Sequence, residues 1–204
     1  MIKEFFISRQ TLEEEGYCAP ATVKSVALAF GFNNYSLKDM KKHISNPAWG
    51  TKPSEIVDMF SDILPKNHIL AKRNWTFNEL EEVVNCSEKV GVIVDITDKL
   101  KRFSKTDGKF VSEDTVDGHY VIVSMVVSIK DTKYALIIDG SKDEIVQKGD
   151  GLILTNYENI YFVEQSLFES MWSDENFDGS ENKHWACVAV HPHDNSLVLE
   201  KYSK

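Results

Sequence analysis

Two stretches, HYVIVSMVVSI (residues 119–129) and KYALIIDG (residues 133–140), decide how this chain folds. Each is β-branched or aromatic at nearly every position and is bounded by polar residues, as expected of strands covered on both faces. The polar break near 129–133 makes them an antiparallel pair. With roughly 9 residues on one arm and about 7 on the other, at ~3.4 Å per residue, His119 and Asp139 reach the same end of that pair. An aspartate there can hold one imidazole nitrogen and leave the other for chemistry.

Further runs of the same kind, VGVIVDI (90–96) and HWACVAVHP (184–192), add strands to this pair. The first half of the chain has a different period. Val23, Val26, Ala27 and Phe30 recur at helical spacing in 18–30, and Gly31 stands where such a helix stops. A second helix is expected over 36–45, capped by Ser36 with Asp39 three residues on. In WGTKPSEIVDMFSDIL (49–64), Thr51 can cap, Pro53 suits a first turn, and Ile56, Met59, Phe60 and Ile63 line one face. Helices are also expected over 76–85 and 164–172. The class is α+β: one domain over 1–204, helical to about residue 88 and built on an antiparallel sheet from about 89, with a cleft where the two parts meet.

Composition bounds the function. The 204 residues suffice for one substantial core, and 42% hydrophobic with 27% charged residues is ordinary globular usage. A formal charge of −9 without a dense Lys/Arg run argues against a nucleic-acid partner. Three cysteines, Cys18, Cys86 and Cys187, follow no close spacing, so a reducing compartment is expected and Cys86 and Cys187 read as structural thiols. The start, MIKEFFISRQ, carries too short an apolar run for a secretion signal, and no stretch approaches the ~20 apolar residues of a membrane span. The expected location is the cytoplasm, with no membrane insertion.

Cys18 carries the sharpest chemical reading. If a helix begins there, its sulfur sits at the positive end of the helix dipole, which favours the nucleophilic thiolate. Gly16 permits a tight entry of the chain. His119 supplies a base, Asp139 orients that base, and Gln10 with the backbone N–H of Cys18 can donate to an oxyanion. Taken singly, each has an ordinary reading: a core thiol, a strand histidine, an Asp-Gly turn, a surface glutamine.

Taken in order, Gln10, GYCAPAT (16–22), GHYVIV (118–123) and IIDGS (137–141) resemble the papain superfamily. More narrowly they resemble the bacteriocin-processing, double-glycine-leader peptidases, cysteine peptidase family thirty-nine, as a stand-alone relative. WGTKPSEIVDMF is similar to that family's Gly-Thr-x-Pro helix start, and SLFESMW followed by HWACVAVHP to its closing helix and strand. Ala19 stands where the family has glycine after the nucleophile, and keeps the backbone N–H; Tyr17 replaces a small polar residue. The resemblance implies a papain-like fold, a peptide or protein substrate, and a Cys18–His119–Asp139 triad with Gln10 as oxyanion donor, without metal or organic cofactor. Passing the acyl group to an amine would use the same residues, and a silent peptide-binding module is a further alternative.

Two segments remain. His184, Cys187, His191, His193 and Asp194 lie close in sequence but match no closed zinc spacing, so no metal site is assigned. Trp49, Trp172 and Trp185 read as core or cleft-wall aromatics. Residues 97–118, long, polar and charged, read as a surface loop or a lid beside His119, with few core residues.

Overall fold

The computed structural model describes residues 17–46, 50–97, 99–110, 118–140, 144–172, 183–194 and 198–203. The strands, in chain order, are β1 (Ile69–Lys72), β2 (Val90–Thr97), β3 (Arg102–Ser104), β4 (Lys109–Phe110) and β5 (Gly118–Ile129). They continue with β6 (Thr132–Ile138), β7 (Glu144–Val146), β8 (Leu152–Leu154), β9 (Ile160–Glu164) and β10 (Ala186–Val190). Among the described residues a seven-stranded antiparallel sheet runs in the order β1-β10-β2-β5-β6-β9-β8, beside a small sheet β4-β3-β7.

The central β5–β6 hairpin turns through Lys130 and Asp131, both at positive φ (48° and 67°). Two such residues match the right-handed strand twist. Ile129 pairs with Thr132 and Val123 with Ile137, but the register shifts between Val123 and Met125, leaving Ser124 as a bulge. Side chains alternate with period two, so one extra residue switches which face the rest of β5 presents. Val121 and Val123 therefore share a core cluster with Val126 despite the broken alternation.

Helices cover both faces. On one lie α1 (Cys18–Ala29), α2 (Leu37–Lys41) and α3 (Pro53–Ser61), packed with Ile93, Ile122, Ile138 and Cys187. On the other lie α4 (Phe77–Cys86), α5 (Gln165–Met171) and α6 (Val198–Tyr202), against Val92, Val94, Val121 and Ile137. The helical stretch of the sequence is thus split: α1 to α3 pack on one face, α4 crosses to the other, and β1, which precedes residue 89, forms a sheet edge beside β10.

Local chemistry explains the helix starts. Ser36 caps α2 by accepting the Asp39 N–H while the Asp39 carboxylate accepts the Ser36 N–H, and Thr76 with Glu79 repeats this at α4. At α3 the cap position is Lys52, not the expected Thr51: the Glu55 carboxylate accepts the Lys52 N–H, and the Thr51 carbonyl accepts the Tyr120 hydroxyl instead. α1 is buried nearly all round and sits close on the sheet. A Cβ at Gly91 of β2 would lie 2.5 Å from Val26 Cγ1, so only glycine admits α1 at this height.

Residues 97–118 correct the loop expectation. Within them β3 and β4 pair, and β3 also pairs with β7. Leu100, Arg102 and Ser104 are buried, and Leu100 belongs to the core. No helix among the described residues is long and apolar enough to cross a membrane.

Candidate active site

α1 begins at Cys18, with Tyr17 as its cap and the first helical hydrogen bond from the Ala21 N–H to the Tyr17 carbonyl (3.1 Å). The N–H groups of Cys18 and Ala19 precede that first bond and have no intrahelical acceptor, while Pro20 has no N–H to place. The half-buried thiol of Cys18 thus stands beside outward-facing donors at the positive end of a 12-residue helix.

α1 is fastened to the sheet at its first turn. The Thr22 hydroxyl donates to the Cys18 carbonyl (2.6 Å) and shares its proton with the carbonyl of Tyr120 (3.1 Å). Tyr120 is the neighbour of His119 on β5, so this bridge sets the height of Cys18 against the histidine. The hydroxyl of Tyr120 donates to Thr51 (2.9 Å), and its ring meets Trp185 edge-on, joining the start of α3 and β10 to the same corner.

His119, whose side chain is 12% exposed, bonds through Nε2 to Oδ1 of the fully buried Asp139 (2.9 Å). This contact occupies Nε2, so Nδ1 is the nitrogen left for a proton exchange with Cys18. Burial by itself pushes the imidazole down. The charge and hydrogen bond of Asp139, followed by the hydrogen bond and charge of Cys18, outweigh it and hold His119 well above its ordinary 6.5.

Asp139 has further partners. Its Oδ2 accepts Nη2 of Arg102 (2.7 Å) and the Tyr161 hydroxyl (3.1 Å), and its backbone N–H donates to the Asn159 carbonyl (2.9 Å). Sequence reading missed Arg102, Tyr161 and Thr22. Arg102 sits in a charged stretch that reads as solvated, and nothing local marks it as the buried member. The alternation of β3, in which Arg102 and Ser104 face inward and Phe103 meets Phe110, is the one available signal.

Of the residues singled out from sequence, Cys18, His119 and Asp139 come together here, while Gln10 lies outside the described residues, as do Gly16 and Trp49. Trp172 and Trp185 are buried. Cys187 is buried, which pushes its thiol up, whereas Cys86 is exposed rather than structural. The histidine-rich segment splits: the His191 and His193 rings meet at 5.2 Å, but His184 and Cys187 lie elsewhere. His184 stacks on Trp172 and bonds the Trp75 carbonyl, His191 lies against Phe30 and Phe32, and Cys187 points into the α1 core. Among the described residues no three potential metal ligands gather.

No protein-family model matches the chain, and no curated protein does. Among solved structures it is similar to the peptidase domain of Streptococcus ComA, a bi-functional ABC transporter involved in a quorum sensing pathway. The likeness has a TM-score of 0.53 at 15% identity and covers 93% of this chain and 100% of that domain. At this identity the likeness concerns the fold. The chain has the expected α+β, papain-like fold, which it shares with that domain.

Proposed function

We propose that this chain is a thiol-dependent peptidase, a single papain-like domain that hydrolyses a peptide or isopeptide bond in a peptide or protein substrate. The observation that carries the reading is the convergence of a helix-initiating cysteine with a buried histidine–aspartate pair bonded at 2.9 Å. His119 takes the proton of Cys18, and the thiolate attacks the carbonyl carbon. The oxyanion accepts the N–H of Cys18 and, from outside the described residues, the amide of Gln10. His119 then gives its proton to the leaving amine, forming a thioester on Cys18. Water, deprotonated by His119, adds to the thioester carbonyl; the acyl group leaves as an acid and Cys18 regains its proton. No metal, organic cofactor or nucleic acid takes part. Three cysteines, Cys18, Cys86 and Cys187, with no close disulfide spacing, fit action in the reducing cytoplasm.

The test is a peptide library incubated with wild type and Cys18→Ala, read by mass spectrometry. Wild type should release fragments that carry the mass of added water, and Cys18→Ala should release none. Gln10→Ala should lower turnover about 100-fold. Products that gain an added amine instead of water would make the enzyme an acyltransferase. Full activity in Cys18→Ala would overturn the mechanism.

A further inference from the structure

The Arg102–Asp139 contact is an ion pair with almost no solvent: the two side chains are 3% and 0% exposed. Burying two charges is costly, and a buried ion pair in general adds little stability over apolar side chains of similar volume. The geometry suggests a different use. The two oxygens of Asp139 are divided, Oδ1 to His119 in front and Oδ2 to Arg102 and Tyr161 behind. Two donors from two strands, β3 and β9, therefore fix the carboxylate plane before His119 meets it.

The division matters because His119 changes charge during the proposed reaction and Asp139 does not. If the imidazolium were the sole countercharge, passing its proton to a leaving amine would strand a carboxylate in a site of low dielectric. His119 would then hold its proton too firmly to act as an acid. A guanidinium never loses its charge at working pH, so Asp139 stays compensated in both states of the histidine.

We propose that Arg102 is a positioning residue that acts on His119 through Asp139, fixing the carboxylate and restraining how tightly the imidazole keeps its proton, with Tyr161 as a weaker second support. This deepens the peptidase reading and rests on it for the role of His119. Among the described residues, Cys18 of α1 faces His119, and Arg102 of β3 and Tyr161 of β9 face Asp139. The contact also gives the β3–β4 hairpin, an apparent surface loop in sequence, a direct hold on the triad.

The experiment follows the His119 ring by NMR in the full chain with 13Cε1-labelled histidine, its signal assigned by loss in His119→Gln. Removing a positive neighbour of Asp139 strengthens its pull on the imidazolium, so Arg102→Met should raise the His119 midpoint by about one pH unit. Tyr161→Phe should raise it less, and Arg102→Lys, which keeps the charge, should leave it within a few tenths. Should Arg102→Met fail to fold, Arg102→Gln carries the same expectation. A midpoint that stays or falls in the neutral variants, with only the melting temperature lowered, would show a merely structural role and overturn the proposal. The two readings fail separately. A midpoint shift without any peptide turnover refutes the peptidase alone, and turnover without a shift refutes the role of Arg102 alone.

Discussion

The back helical layer and the front helix α1 cover the same sheet in contrasting ways. Behind it, α4, α5 and α6 pack with large aromatic residues: Phe168 meets Phe77 and Trp172, and Trp75 meets Tyr202. In front, α1 packs through Ala19, Ala21, Val23, Val26 and Ala27, and the sheet yields with Gly91 beneath it. Bulky side chains hold a layer at a distance and tolerate small shifts. Small ones let α1 lie close on the sheet, where the Thr22 hydroxyl holds its first turn to the Tyr120 carbonyl. The back layer stabilises the sheet; α1 sets the Cys18 thiol toward a strand-borne histidine.

Substitutions on each face should separate these roles. The largest effect on stability belongs behind the sheet: Phe168→Ala removes a fully buried ring and should cost about 3–5 kcal/mol in a urea melt. The folded protein should nonetheless alkylate Cys18 at close to the wild-type rate. In front, Gly91→Ala forces a methyl into Val26 and should cost about 1–3 kcal/mol. Here the alkylation rate should fall as well, because α1 must lift. If Phe168→Ala slows alkylation as much as Gly91→Ala does, the division of labour is wrong.

A smaller and more selective change is Thr22→Val, which keeps volume and removes the hydroxyl that bridges Cys18 and Tyr120. Its stability cost should be near 1 kcal/mol, with kcat lowered and KM little changed. An unaltered kcat would show that the bridge holds the helix without placing the thiol.

The smallest effect is electrostatic. Because the folded protein holds His119 above its ordinary 6.5, protonation of this ring adds stability that is complete below about pH 6.5. That stability is lost as pH rises through the higher folded value. Urea melts should therefore show wild type weakening from just above pH 6.5 upward, with His119→Gln flatter over the same range. A wild-type profile no steeper than the variant's would remove His119 from the account.

Much of this was legible because it is local. The period of 119–129 and 133–140 marks β5 and β6, the Ser36/Asp39 pair marks α2, and Gly31, at φ 84°, ends α1 where expected. The short strands β1, β7, β8 and β9 and the helix α6 left no usable period: three to five residues do not define one, and their partners lie far along the chain. The meeting of His119 and Asp139 could be anticipated from strand length, whereas bringing Cys18 to them rests on the resemblance of the ordered motifs.

What the tertiary structure alone decided is how that corner is held. The Ser124 bulge sets which face the residues of β5 present, yet Ser124 looks like one polar residue in an apolar run. Arg102 lies among Lys99, Lys101 and Lys105 with nothing in its neighbourhood to distinguish it, and the fold desolvates it against Asp139, 37 residues away. Period and capping are written in neighbouring residues, because they arise from backbone geometry within a turn or two. Which charge is buried, and which carbonyl shares the proton of Thr22, depends on partners supplied by other strands, and so is settled only when the sheet has closed.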